Sequence, residues 1–147
     1  MSQSIVGPEQ LQPIVDRLAL CKPSAIKWKR VISNPVERLQ VETLDAHLCR
    51  FSIEVSIQGS DSYGFYFGHG PHFDEVRSSE FDPLNLAEAV MAGSVKERLG
   101  KSLVVRSEGS LFLKDGRVLR DITTQLPFLS AFSHVADVAY RPYPRAV

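Results

Sequence analysis

The chain has 147 residues, enough for one domain whose core needs no covalent staples. Its composition, 44% hydrophobic and 23% charged, is that of an ordinary globular protein. Seventeen basic and seventeen acidic side chains leave no formal net charge, which excludes a broadly basic nucleic-acid binder and leaves room only for a local patch. Residues 1–8 lack a basic segment followed by an apolar one, and no apolar run approaches bilayer length. The sequence therefore reads as that of a cytoplasmic protein with no membrane partner. Cys21 and Cys49 have neither CxxC nor zinc-type spacing and read as small buried apolar residues in a reducing compartment.

In chain order, Pro8 to Lys22 predicts a loose turn and then a helix from about Gln12. Leu11, Ile14, Val15 and Leu18 form its apolar stripe, and Pro13 falls in its first turn. Ala25–Ile32 predicts a strand with Ile26 and Trp28 facing the core and Lys27 and Lys29 facing water. After the Asn34-Pro35 turn, Arg38–Leu44 alternates again. Cys49, Phe51, Ile53, Val55 and Ile57 give the cleanest period of two in the chain. Gly59–Ser62 turns into an aromatic strand in which Tyr63, Phe65 and Phe67 share one face. No connection among these strands can hold a crossover helix, so they predict an antiparallel meander.

Asp74–Ser79 reads as a polar loop. Asp82-Pro83 opens a second helix, with an N-cap oxygen followed by proline at the first helical position. Lys96, Glu97 and Arg98 make its polar last turn, Gly93 permits close approach, and Gly100 stops it. Glu108-Gly109 and Asp115-Gly116 predict two hairpin turns among three short strands. Pro127 opens a short helix carrying Phe128, Phe132 and Val135. Ala136–Tyr140 is an edge strand or coil, and Pro142 and Pro144 end the chain irregularly. The whole reads as one α+β domain over residues 1–147: a mainly antiparallel sheet in two meander blocks, with two principal helices packed on one face.

The unusual residues gather where the aromatic strand runs out. His69-x-x-His72 with Asp74 and Glu75 has the donor types of a divalent-metal site. It lacks HExxH, and only His47 and His134 remain as further imidazoles. His69 or His72 with Asp74 or Glu80 has the groups for acid–base catalysis, without any accompanying nucleophile motif. Gly64, Gly68 and Gly70 match no phosphate-binding fingerprint and read as strand-bending devices. Lys22, Lys27, Lys29 and Arg30 with Trp28 and Tyr63, and Arg141 with Arg145, are the only hints of nucleic-acid binding.

Five aromatics fall between Tyr63 and Phe73. The core needs one face of the strand, so Tyr66 and Phe73 are left over beside the acids. Aromatics ringed by charge are the composition of a protein-binding surface. The partner-binding set is Tyr66, His69, His72, Phe73, Asp74, Glu75, Glu80 and Asp82, on an acidic-aromatic loop spanning about residues 66–82.

In size, neutrality and mixed α+β pattern, the chain resembles small bacterial proteins that bind and neutralise a partner, such as toxin-immunity proteins. The resemblance implies a non-enzymatic inhibitor, with no cofactor or metal, that covers a basic surface on a toxin or enzyme. The alternative is a metal-dependent or His-acid enzyme using His69, His72 and Asp74; a third is a structural subunit of a larger assembly.

Overall fold

The computed structural model describes residues 5–69, 72–101, 105–125 and 134–146. Within them the chain forms nine strands in two antiparallel sheets, with two short helices. A single 3-10 turn, Pro8–Gln10, leads into helix α1, Leu11–Leu18. Leu11, Ile14 and Leu18 are buried on one side, as their spacing requires. Pro13 lies in the first turn, where its missing N–H removes no intrahelical bond.

The first sheet is a meander of β1 (Ile26–Ser33), β2 (Val36–Thr43), β3 (Phe51–Ser56), β4 (Ser62–Phe67) and β5 (His72–Arg77), adjacent in chain order. Cross-strand partners share a face. One core row therefore runs Val41, Phe51, Phe67, and the next runs Leu39, Ile53, Phe65, Phe73. Phe51 stacks on Phe65 with ring centroids 6.0 Å apart.

Two expectations fail here. Trp28 points the same way as its partner Val41 yet is 37% exposed. β1 is the sheet's edge, and of its eight residues only Ile26 is buried, so cover over the core face runs out before Trp28. Arg30, on that same face, turns its guanidinium to the buried carboxylate of Glu37 and to the Pro8 carbonyl at 3.2 Å. Residues Asp74–Arg77, read as loop, belong to strand β5.

Helix α2, Pro83–Met91, starts after Asp82 as expected but stops earlier than Gly100. Gly93, at φ +74°, is the stop. Its N–H donates to the Val90 carbonyl at 2.9 Å and the Ser94 N–H donates to Ala89 at 3.0 Å, a Schellman closure. Lys96, Glu97 and Arg98 therefore lie not in a helical turn but in strand β6.

The second sheet comprises β6 (Val95–Lys101), β7 (Val105–Phe112), β8 (Val118–Gln125) and β9 (His134–Ala139), in the order β8-β7-β6-β9. Asp115-Gly116 makes the β7–β8 turn. Glu108-Gly109 does not turn, because β7 runs straight through it with partners on both sides. β9 decides the choice between edge strand and coil, and its Val135 belongs to that strand. The helix expected from Pro127, with Phe128 and Phe132, lies outside the described residues.

The irregular tail is not idle. Tyr143 is buried, its N–H donates to the Met91 carbonyl at 2.7 Å, and its hydroxyl donates to the Cys49 carbonyl. The helices touch each other, and one apolar cluster takes residues from both helices, both sheets and this tail. No helix among the described residues is long and apolar enough to cross a membrane.

Gly93→Ala is expected to destabilise the protein by about 2 kcal/mol or more, since an alanine there is strained at positive φ. Its Cβ would also lie 2.7 Å from the Arg141 carbonyl carbon. Urea unfolding measures this, and a loss below about 0.5 kcal/mol would mean that Gly93 does not set the helix end.

Candidate functional site

The site begins with a mismatch between β4 and β5. Tyr63 pairs with Val76 and Phe65 with Phe73, so two steps on β4 face three on β5. The extra residue makes a bulge, with Asp74 and Glu75 opposite Gly64. Both acids are thereby left exposed, and the period of two is broken. This is why the segment does not read as a strand in sequence. Phe73 lies on the core side, half-buried, with its ring stacked on Phe67 at 6.0 Å. It is thus core support and not the leftover aromatic of the sequence reading.

Tyr66 faces the other way. Its ring lies over Gly64, where a Cβ would sit 2.9 Å from the phenol oxygen. The hydroxyl donates to Asp74 at 3.3 Å, and the ring stacks with His72 at 6.5 Å and 11°. The Arg38 guanidinium lies 6.0 Å from the ring centroid and pairs with Glu54 at 2.5 Å. Burial, with the Glu54 and Asp74 charges, pushes the phenol above its ordinary range. Tyr66 is half-buried and His72 exposed.

Beyond Phe67 the chain turns at Gly68, at φ +63°. A side chain there would collide with the carboxylate of Glu97 on β6. Glu97 is 2% exposed. It accepts from the His69 backbone N–H at 3.0 Å and from the Tyr140 hydroxyl. His69 Nδ1 stands 3.4 Å from Glu97 and 3.2 Å from the Tyr140 oxygen. Tyr140 has one proton and directs it to Glu97, so Nδ1 must be the donor to this pair. In the neutral ring, Nε2 is then the acceptor. Arg50 holds the turn from the other side, with its Nε donating to the Gly68 carbonyl at 3.0 Å.

Tyr66, His69 and His72 line a shallow groove of about 320 Å³ together with Gln40, Glu42 and Arg50. The structure thus brings Tyr66, His69, His72 and Asp74 to one end of the β4–β5 hairpin. Glu80 and Asp82 lie past the other end of β5, which at 3.3 Å per residue separates them from His72 by roughly 17 Å or more. The Glu80 carbonyl accepts from Arg117, and Asp82 precedes α2. Among the described residues no three His, Cys, Asp or Glu side chains converge on a metal position. His69 is committed to Glu97, and Asp74 to Tyr66. Tyr63 is buried and donates to the Phe81 carbonyl, so it is not a stacking platform for nucleic acid.

Sequence reading missed Glu97, Tyr140, Arg38 and Arg50. One signal was present: Val95-x-Glu97-x-Leu99 alternates as a strand once Gly93 is taken as the helix stop.

Burial, reinforced by the Glu97 charge, pushes the Cys49 thiol up to about 12. Burial likewise raises the phenols of Tyr63, Tyr140 and Tyr143 above 10.0. The unfolded chain releases these protons from about pH 9 and 10 upward, while the folded chain keeps them. The folded state then binds more protons, so stability falls as pH rises from about 9 towards 12. Urea midpoints measured across that range should decline. Native Cys49 should resist iodoacetamide at about pH 8 and react once unfolded.

No protein-family model matches this chain, and comparisons with curated proteins and with solved structures find no match.

Proposed function

We propose that the chain is a non-enzymatic protein-binding module of the inhibitor or immunity type, acting in the cytoplasm. Its contact surface is the solvent face of the β4–β5 hairpin. The observation that carries this reading is the state of Tyr66. It is half-buried on an outward face, set on Gly64, flanked by His72 and Arg38 and tied to Asp74. An aromatic already held in one place loses little freedom when a partner covers it. Asp74 and Glu75, exposed by the bulge, give the surface a negative rim that a basic partner would match and that would speed encounter. Phe73 supports the surface from beneath. Glu80 and Asp82 contribute long-range charge, not contact.

The test is to recover the partner from the native host, identify it, and measure its affinity for variants. Tyr66→Ala and Asp74→Lys should each weaken binding by about 2 kcal/mol, roughly thirtyfold. Affinity should fall with added salt, and both variants should keep the wild-type thermal midpoint within a few degrees. Unchanged affinity in both variants removes the hairpin from the interface.

A second reading, acid–base chemistry, is favoured by one observation: Glu97 and Tyr140 orient His69 so that Nε2 is the accepting nitrogen beside the groove. It keeps His69 from the sequence reading but makes Glu97, not Asp74, the orienting carboxylate. Turnover of a nitrophenyl ester or phosphate that disappears in His69→Gln would move the assignment to this reading.

A further inference from the structure

β1 is the outer strand of the five-stranded sheet, and among the described residues it pairs only with β2. Edge strands normally carry devices against pairing: they are short, bulged, interrupted by proline, or charged, lysine above all. β1 has the charge alone, in Lys27, Lys29 and the inward-facing Arg30. β1 is eight residues long, pairs with β2 in unbroken register over its whole length, and contains no proline. Its core side continues past the covered region with Trp28 at 37% and Ile32 at 69% exposed. Its outer side carries Lys27 and Lys29, then Val31 at 39% exposed. Arg30 is committed to Glu37. Neither lysine forms an ion pair among the described residues.

We infer that β1 accepts an extended acidic segment of another protein as a sixth strand of the sheet. Main-chain bonds to the free edge would hold the segment, and alternate side chains would select it. Acidic residues on the outer face would lie opposite Lys27 and Lys29. Apolar residues on the inner face would cover Trp28 and Ile32 and extend the core by one strand. Lys29 and Arg30 disfavour a second copy of this chain. With both β1 strands keeping their faces, an antiparallel pair centred on Lys29 sets Lys29 against Lys29, one centred on Arg30 sets Arg30 against Arg30, and like charges directly opposite are destabilising. Three strand spacings, about 14 Å, divide β1 from Tyr66 on β4, and Gln40 and Glu42 of the groove stand opposite Lys29 and Lys27. The two assignments use different residues, so failure of either leaves the other standing.

The chain carries a single tryptophan, so Trp28 reports directly on this edge. The probes are a synthetic peptide of about ten residues alternating glutamate with valine and isoleucine, and its counterpart with lysine for glutamate. The glutamate peptide should shift Trp28 emission to the blue and slow amide exchange in residues 26–33. The double variant Lys27→Glu/Lys29→Glu should bind it at least about tenfold more weakly and bind the lysine peptide instead. No emission shift with the glutamate peptide overturns the inference, as does equal affinity for both peptides. Sedimentation showing a wild-type dimer abolished by Ile32→Lys would also overturn it, by making a second copy the occupant of the edge.

Discussion

A carboxylate removed from water must be met by donors, or its burial costs several kcal/mol. Glu97 is that carboxylate here, and its donors come from elsewhere in the chain. The His69 backbone N–H comes from the β4–β5 turn, and the Tyr140 hydroxyl follows β9. The first sheet is therefore tied to the second at a point where a poor fit would leave a charge unsatisfied, and the His72 N–H adds a bond to Asp121 on β8 at 3.3 Å. Gly68 is required there because any side chain would occupy the place of the carboxylate. The orientation of His69 depends on this contact, and the turn at Gly68 is held jointly by it and by Arg50.

Around that contact the apolar rows do the bulk of the stabilising. Leu39, Ile53 and Phe65 are fully enclosed, and each such side chain contributes about 1.5–3 kcal/mol relative to exposure. The two outer features with functional promise arise for different reasons. At β5 the bulge re-aims two acids beside a fixed aromatic. At β1 the core face outruns its cover and leaves apolar side chains on an edge that, among the described residues, is unpaired. Neither feature is a defect of packing. The buried polar side chains of the described residues are all hydrogen-bonded, so the core was not compromised to produce them.

The tail illustrates how a segment with no regular structure can still be fixed. The Lys22 N–H donates to Pro144 at 2.8 Å and the Ala146 N–H to Leu20 at 3.0 Å, which carries the chain's end back to the end of α1. Tyr143, just before them, enters the core. Prolines on either side stiffen the segment at φ values that suit an extended path. This lowers the entropy lost when it docks.

What the sequence determined by itself is local. The period of two in β3 and β4, the stripe of α1, the Asp82-Pro83 helix start and the Asp115-Gly116 turn each depend on neighbours a few residues away, and each is legible. So is the gathering of Tyr66, His69, His72 and Asp74, because one hairpin carries them all. Tertiary structure decided the rest. Whether Trp28 is covered depends on how far the helices and the N-terminal turn reach, and not on its alternation with Lys27 and Lys29. Whether Glu97 is a solvated helix residue or a buried anchor depends on His69, 28 positions away, and Tyr140, 43 positions away. Periodicity states which side of an element is apolar. It carries no information about what stands opposite, and the partners of a buried charge and the reach of a sheet's cover are both settled there.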